Sequence, residues 1–461
     1  MAFTGIEALR PAASRGLMLR VRQRVESILK SEHFTTQKVA GAAFAIRIVS
    51  AGIVFISQIL FARWMGSYQF GSYVYVWTWL LMAGDIVHLG MPLTAQRFIP
   101  EYTETRSFDL LRGYLAGSRW LSLAASTAFA LLGGLVVYAL DDRFDSELFL
   151  PFYFACLALP AYILTFMSDG AARSYNWINL ALMPAYIVRP VLLVAGVAAL
   201  HFSGVTLNAT NVLGVLAAAA WLSVILQMLQ LDRRLRAIVP RGPKRYEVKR
   251  WLVTALPMTL VWALYTLLTS TDILVLKHYR PAHEVAHYFA AAKLLALISM
   301  IYFAVAASAA HHFTTYQVAG DRAGLETFAA STVRWIFWLS LALMLVILAA
   351  GEPLLMLFGP EYTVAQPVMM ILAIGMMARA SVGPAERLLT MLGHQRICAW
   401  AYVAAFAFNL GACILLVPEY GTIGAAIATA GGFVIESIAL FIIAKRALGL
   451  HMFIWRPAGV R

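Results

Sequence analysis

Residues 39–62 read VAGAAFAIRIVSAGIVFISQILFA, and Arg47 is the only charged side chain among them. About 20 consecutive apolar residues in a helix cross the ~30 Å hydrocarbon core of a bilayer. A strand of a membrane barrel would instead alternate apolar and polar residues over about 10 positions. Because this apolar run is continuous, we predict that it forms a membrane-spanning helix.

Apolar runs of the same kind recur along the whole chain. Of its 461 residues, 61% are hydrophobic and 13% are charged, whereas soluble domains carry about 25% charged residues. We therefore predict an all-α polytopic membrane protein with about twelve transmembrane helices. The predicted spans are residues 39–62, 70–92, 121–140, 148–167, 179–200, 211–231, 251–275, 285–309, 335–350, 365–382, 398–417 and 423–444.

The distribution of Lys and Arg predicts the orientation of these spans. Of the 36 basic residues, 28 lie in segments on the side that holds the N-terminus, and four lie on the other side. Cytoplasmic loops carry the excess of Lys and Arg, so both termini are predicted to be cytoplasmic. The net charge of +13 resides mainly in these loops, which argues against nucleic-acid binding. All three cysteines lie within apolar runs, so neither a disulfide nor a metal site is predicted.

Short motifs repeat between the two halves of the chain. The sequence QILFAR at residues 58–63 returns as DILVLK at residues 272–277. Three further pairs share an offset of 215 residues: 70–73 with 285–288, 97–98 with 312–313, and 119–120 with 334–335. We predict a duplication of six spans, with the two bundles related by an axis normal to the membrane. In transporters with such repeats, the substrate binds near the bilayer midplane between the repeats.

The duplication divides the chain into five predicted segments. The segment between the bundles contains eight basic residues. In the N-terminal segment, apolar and basic residues alternate at helical spacing, which is typical of a helix on an anionic membrane surface; an unstructured basic tail is the alternative. The segments are the basic N-terminal segment 1–38, the first bundle 39–231, the cytoplasmic linker 232–250, the second bundle 251–447 and the cytoplasmic tail 448–461.

Ionisable residues inside the spans are the candidate functional residues. A charge at the centre of a membrane helix costs roughly 2.5–3.5 kcal/mol, and such residues usually face a partner or a watery cavity. Arg47, Arg189 and Lys293 would together line a cationic lumen that binds an anion, since guanidinium groups match phosphate oxygens. For Arg189, which precedes Pro190, a position at a membrane interface is an equal alternative.

Three further residues are candidates for ion coupling or charge pairing. Asp85 and His88 are three residues apart and share one helix face. They could form a proton or sodium relay, but the preferred interpretation is an ion pair with Arg47 on the neighbouring span. Glu436 lies within the last span. Arg379 is expected close to the cytoplasmic end of its span, in a structural role. No cofactor is predicted, and coupling to protons or sodium ions is left open.

Several motifs resemble one known family. The sequence QILFARWMG at residues 58–66, followed by FGSY at 70–73, is similar to the end of the first span in Wzx-type polysaccharide flippases. The sequences LGMP at 89–92 and RFIPEY at 97–102 also resemble that family. These flippases belong to the multidrug/oligosaccharidyl-lipid/polysaccharide exporter superfamily. The span number, the duplication and the orientation extend the resemblance over nearly the whole chain.

The resemblance implies a transporter and not an enzyme. Such a protein moves an undecaprenyl-pyrophosphate-linked oligosaccharide, an O-antigen or exopolysaccharide repeat unit, to the outer leaflet of a bacterial inner membrane by alternating access. On this interpretation, Arg47 and Lys293 bind the anionic pyrophosphate. The implied partners are the lipid-linked oligosaccharide, anionic membrane lipids, and the polysaccharide polymerase and chain-length machinery.

Two alternative functions are left open by the sequence. The first is a proton- or sodium-coupled multidrug antiporter of the same superfamily, which would use a carboxylate in the first or seventh span. Here the first span carries Arg47, and the only acid of the seventh is Asp272 near its outer end. The second is a membrane glycosyltransferase or polymerase, which would need acidic residues and a large outer loop. The short outer loops of this chain leave little room for such a site.

Overall fold

Helices make up all the regular structure that the coordinates describe. The computed structural model describes the backbone of residues 12–139 and 146–455, and most side chains from residue 41 onward. The helices are α1 (Ala12–Val87), α2 (Met91–Glu104), α3 (Phe108–Ala139), α4 (Phe149–Ser174), α5 (Ile178–Met183), α6 (Arg189–Phe202), α7 (Ala209–Ile238), α8 (Val248–Tyr279), α9 (Ala282–Ala319), α10 (Arg322–Ala349), α11 (Gly351–Met356), α12 (Gln366–Val382), α13 (Ala385–Met391) and α14 (Gln395–Leu448). Two 3-10 turns (Ser146–Leu148 and Pro360–Ala365) and a π-helical turn (Pro184–Val188) lie between them.

The helices are long and apolar enough to cross a membrane many times. Nine such ranges occur within the described residues, and two of them are unusually long, Gly41–Glu104 with 64 residues and Arg396–Leu448 with 53. Within α1 and α14 a glycine lies outside the helical conformation: Gly66 has φ 76° and Gly421 has φ 53°. Glycine adopts positive φ without steric cost, so the helix changes direction there. The chain is a polytopic α-helical membrane protein.

The two halves of the chain are joined at the end of the molecule that holds Gly66 and Gly421, here called the kink end. Arg63 donates two hydrogen bonds to the second half, from Nε to the Leu357 carbonyl at 2.6 Å and from Nη2 to the Met356 carbonyl at 2.9 Å. The backbones of the two halves also approach closely at Gly71, where an added Cβ would lie 1.7 Å from the Ala282 carbonyl oxygen. A side chain at position 71 would therefore separate α1 from α9.

The opposite end, here called the linker end, is held by the connection between α7 and α8. The helix α7 continues past the predicted boundary, so this connection comprises residues 239–247. Arg112 on α3 donates to the Pro240 and Pro243 carbonyls at 2.9 and 2.8 Å. Arg250 on α8 donates to Glu101 on α2 at 2.5 Å. The linker is thus docked on the first half.

Apolar side chains form both the interior and the outer face of the bundle. The largest buried cluster includes residues from both halves, and Phe70 packs edge-on against Phe289 with ring centroids 5.9 Å apart. Other large apolar side chains point outward; Leu131 is 71% exposed and Leu415 is 75% exposed. Extended exposed apolar surface is typical of contact with a membrane, which agrees with the lengths of the helices.

The predicted terminal segments are described only in part. The backbone of α1 is helical from Ala12 onward, so the basic segment continues directly into the first span. Residues 1–11 and 456–461, and the side chains of residues 12–40, lie outside the described residues. The membrane-surface role of segment 1–38 stays a prediction, as does the domain division.

Candidate functional site

A cavity of about 370 Å³ lies within the second half of the chain. Every residue that lines it lies between Tyr265 and Phe433, and the wall is built by α8, α9, α12 and α14. Apolar residues of these helices form part of the wall. The polar and charged residues that line it are Tyr265, Thr269, Asp272, Tyr288, Lys293, Ser299, Arg379 and Thr429.

Lys293 is one of the two cations that line this cavity. Its side chain is half-buried, and Nζ lies 4.9 Å from the centroid of the Phe289 ring. Within the part of the chain that the structure describes, Lys293 has no ion pair and no hydrogen bond. An intramembrane charge usually has a partner or faces a watery pathway. The arrangement is therefore suited to bind an anion that enters the cavity.

Arg379 is the second cation of the cavity wall, and it is paired. Its Nη2 atom lies 3.3 Å from Glu436 Oε1, and the two side chains are 16% and 3% exposed. Glu436, predicted as a candidate for charge pairing, thus pairs with Arg379. Arg379 lies in the last turn of α12, close to the end of its span as expected, but it faces the cavity. From the sequence, Arg379 was expected to have only a structural role.

Asp272 is a buried carboxylate that was not among the candidate site residues predicted from the sequence. Its Oδ2 atom accepts hydrogen bonds from the hydroxyls of Tyr288 at 2.5 Å and Thr429 at 3.0 Å. Its Oδ1 atom accepts the Ile273 N–H at 2.8 Å. No cationic side chain is paired with Asp272 among the described residues. The carboxylate is therefore held by neutral donors alone, deep in the second half.

Arg47 and Arg189 lie in the first half of the chain, apart from this cavity. The guanidinium of Arg47 is exposed and lies 5.6 Å from the centroid of the Tyr186 ring. Arg189 follows the π-helical turn and donates to the Tyr162 hydroxyl at 3.0 Å. Turns of this type are frequent at functional sites. Neither residue lines the cavity that contains Lys293, so a lumen shared by all three cations stays a prediction.

Asp85 and His88 do not pair with Arg47, so the preferred interpretation of these residues is wrong for this structure. Asp85 accepts a hydrogen bond at 2.8 Å from Thr266 of the second half. His88 is buried, and its Nδ1 atom accepts the Gly90 N–H at 2.9 Å. The physical reason is that Arg47 and Asp85 lie on opposite sides of the Gly66 kink in α1, so that Arg47 faces Tyr186 of the π-helical turn and Asp85 contacts Thr266 of α8. No ion pair of Asp85 or His88 occurs among the described residues.

Three solved structures are similar to this chain over most of its length. The first is an inward-facing multidrug-resistance MATE-family transporter of the MOP superfamily, with a TM-score of 0.74 at 13% identity. The match covers 88% of this chain and 98% of the transporter chain. An inward-closed lipid II flippase MurJ has a TM-score of 0.68 at 15% identity and covers 87% of each chain. An outward-facing MATE transporter of the same superfamily has a TM-score of 0.61 at 13% identity, and the match covers 88% of this chain and 95% of the transporter chain. At these identities the likeness shows the fold.

The sequence itself matches two family profiles. The profile of the polysaccharide biosynthesis protein family matches residues 38–311, which is 274 of the 461 residues. A second profile, MatE, matches residues 257–415. No curated protein matches the sequence. The motifs indicated a resemblance to flippases of the multidrug/oligosaccharidyl-lipid/polysaccharide exporter (MOP) superfamily. The two profiles and the similar folds confirm this resemblance. The chain belongs to the polysaccharide biosynthesis protein family.

Proposed function

We propose that the protein moves a pyrophosphate-linked oligosaccharide lipid from the cytoplasmic to the outer leaflet of a bacterial inner membrane. The observation that carries the proposal is Lys293, which has no ion pair among the described residues and lines a cavity between membrane helices of a polysaccharide biosynthesis protein. The similarity in fold to a lipid II flippase also supports this proposal. A repeat unit of a surface polysaccharide on an undecaprenyl carrier is the proposed substrate.

The proposed topology has twelve spans in two six-helix bundles, with both termini in the cytoplasm. The two longest of the nine apolar ranges support this number, because each is divided by a glycine outside the helical conformation. The helix α8, which has 32 residues, adds a further candidate span. The orientation is supported by the excess of Lys and Arg in the segments at the linker end.

The size of the cavity limits which part of the substrate it would hold. Ligand sites typically measure about 300–1,000 Å³, so a cavity of about 370 Å³ would take the pyrophosphate and not the whole oligosaccharide. A polar group moved into hydrocarbon without a hydrogen bond costs roughly 2–7 kcal/mol. Lys293 and the hydroxyl groups of the wall would offset this cost for the pyrophosphate, while the lipid tail stays in the bilayer.

Alternating access is the proposed mode of movement. In the present conformation the two halves are held together at the kink end by the hydrogen bonds of Arg63 and by the close contact of Gly71 with Ala282. Release of the head group on that side would require these contacts to break. Rocking of one repeat against the other is the usual form of such movement in transporters built from repeats.

Complementation of a strain that lacks its own flippase tests this function, in cells that make the matching repeat unit. Surface polysaccharide is the readout, and immunoblots control for protein abundance. We expect Lys293→Ala to abolish polysaccharide export at normal abundance. Lys445→Ala is the matched control, since it removes an exposed lysine at the end of α14, and export should be unchanged. Full export by Lys293→Ala would contradict the site, and no export by the wild type would contradict the substrate class.

A cation-coupled antiporter is the second candidate, and Asp272 favours it. A buried carboxylate surrounded by neutral donors is stable when it carries a proton or a bound cation. Asn409 extends this polar cluster, since its amide donates to Thr429 at 3.3 Å. In proteoliposomes, we expect Asp272→Asn to remove the dependence of transport on a proton or sodium gradient. Glu352→Gln, which changes an exposed carboxylate, is the control; an unchanged dependence in Asp272→Asn would exclude this role.

A further inference from the structure

The Arg379–Glu436 ion pair is incomplete for a buried pair. Its closest contact is a single N···O distance of 3.3 Å, whereas guanidinium–carboxylate pairs frequently form two parallel hydrogen bonds of about 2.7–2.9 Å. The second carboxylate oxygen, Glu436 Oε2, is buried without a hydrogen-bond partner. The pair therefore compensates only part of the cost of removing both charges from water. In such a pair, another anion can take the place of Glu436 beside Arg379.

The other neighbours of Arg379 leave most of its N–H groups unused. The centroids of three aromatic rings lie near Cζ: Phe433 at 4.9 Å, Tyr265 at 5.5 Å and Tyr302 at 5.9 Å. Ring faces stabilise a cation, but they do not replace the five N–H···O bonds that a guanidinium can donate. Apart from its contact with Glu436, Arg379 makes no hydrogen bond in the described part of the chain.

The same guanidinium lines the cavity that contains Lys293. A diphosphate in this cavity would offer Arg379 the bidentate oxygen geometry that Glu436 does not provide, and it would offer Lys293 a counter-ion. Two cations thus line a space that is large enough for a pyrophosphate group, with Glu436 next to Arg379 and the carboxylate of Asp272 elsewhere in the wall. The carboxylate competes with any anion that enters.

We propose that Arg379 is a second anion-binding residue of this cavity, and that Glu436 is an internal counter-ion which a pyrophosphate group displaces. The proposal rests on the function proposed above. Glu436 then lowers the affinity of the site, because part of the binding free energy is used to break the Arg379–Glu436 pair. The pair keeps Arg379 compensated when the cavity is empty and also favours release of the ligand.

Titration of purified full-length protein in phosphatidylcholine nanodiscs with inorganic pyrophosphate tests the exchange. We expect Glu436→Gln to bind pyrophosphate about tenfold more tightly than the wild type, and Arg379→Gln about tenfold more weakly. The double variant should bind as weakly as Arg379→Gln, because the gain acts through Arg379. The exchange is refuted if Glu436→Gln binds no more tightly than the wild type, or if the double variant keeps the gain.

Two controls separate folding and ligand identity from the exchange. Glu436→Gln preserves the shape of the side chain, and its melting temperature shows whether the bundle is intact. If Arg379→Gln does not fold, Arg379→Lys, which keeps the charge but loses the fork, should bind about threefold more weakly than the wild type, and equal binding would refute the proposal. Nanodiscs with phosphatidylglycerol test a phospholipid headgroup as the anion. Weaker pyrophosphate binding in those discs than in phosphatidylcholine discs at the same high salt concentration, where repulsion by the anionic surface is screened, would overturn pyrophosphate as the preferred ligand.

Lys293→Gln distinguishes failure of this proposal from failure of the proposed function. If Lys293→Gln loses pyrophosphate binding while Glu436→Gln behaves as the wild type, the anion cavity stands and the exchange is refuted. If neither the wild type nor any variant binds pyrophosphate, the anion cavity is refuted and the exchange with it. Loss of binding in Lys293→Gln together with tighter binding in Glu436→Gln would support both.

Discussion

The contact between Gly71 and Ala282 makes a sharp prediction about the conformational equilibrium. A Cβ at position 71 would lie 1.7 Å from the Ala282 carbonyl oxygen, and ordinary contacts begin at 3.4 Å. The obstacle is backbone, so a rotamer change cannot relieve it. Gly71→Ala would therefore require α1 and α9 to separate by about the difference, 1.7 Å, at the kink end.

The size of the effect follows from the cost of such overpacking. An extra methyl group in a well-packed site typically costs about 1–3 kcal/mol. The cost applies to the conformation in which the kink end is closed, and it is absent when that end is open. The ratio of open to closed molecules should therefore rise by about 5- to 150-fold. Gly52→Ala is the matched control, because a Cβ at this position on the same helix meets nothing within 4 Å.

Spin labels on the two halves can measure this change in a variant without the three native cysteines. Phe202 and Val364 are 80% and 66% exposed, and they belong to the first and second halves at the kink end. In Gly71→Ala, a longer-distance population between labels at these positions should appear or grow. If the distance distribution of Gly71→Ala matches that of Gly52→Ala, the close contact does not control the opening of this end.

Three other contacts lead to further predictions. Arg63→Gln removes two hydrogen bonds between the halves. The same spin-label measurement should show a shift toward longer distances that is smaller than in Gly71→Ala, because bonds of an exposed arginine contribute little. No shift would mean that these bonds contribute nothing to closure. Gly113→Ala would place a Cβ 1.7 Å from the Arg245 carbonyl oxygen, so a loss of about 1–3 kcal/mol and a lower melting temperature are expected. Trp251→Phe removes the 3.1 Å hydrogen bond from Nε1 to the Tyr102 hydroxyl and should cost about 0.5–1.5 kcal/mol. An unchanged melting temperature would argue against either of the last two.

The sequence was sufficient to predict the helical class, because continuous apolar runs satisfy their backbone groups only in helices when lipid surrounds them. It was less accurate for the helix ends. The predicted span 211–231 stops where Arg233, Arg234 and Arg236 begin, but α7 extends over Ala209–Ile238. Hydropathy marks where the membrane ends, while arginine is a good helix former. The backbone hydrogen bonds therefore continue beyond the apolar run.

The site was harder to predict, because its contacts depend on how distant helices pack. Arg379 and Glu436 are each recognisable as charges within spans, but their pairing requires α12 to lie against α14. Asp272 was set aside because the predicted span ends at residue 275. The helix α8 continues to Tyr279, which places Asp272 about two turns from the helix end. A small error in the end of a span thus hid a buried carboxylate.

The predicted duplication accounts for the scaffold of the two halves better than for their chemistry. Tyr73 and Tyr288 are equivalent by the offset of 215 residues, and both are buried. Tyr73 lies beside Gln58, whereas Tyr288 donates to Asp272, and these two partners are also equivalent in the repeated motif. The aromatic ring is needed for packing in both halves. At the equivalent partner positions, the first half carries the amide of Gln58 and the second half the carboxylate of Asp272.

The cation of the cavity shows the same asymmetry. Between the repeated motifs at 285–288 and 312–313, the offset of 215 residues pairs Lys293 with Thr78. Thr78 is buried, and its hydroxyl donates to the Val74 carbonyl of its own helix at 2.8 Å, so it offers no charge to a ligand. A symmetric site at the axis between the halves would need equivalent groups from both bundles. Because the residues that line the cavity all belong to the second half, the proposed anion site would lie within the second bundle and not on the predicted axis of the repeat.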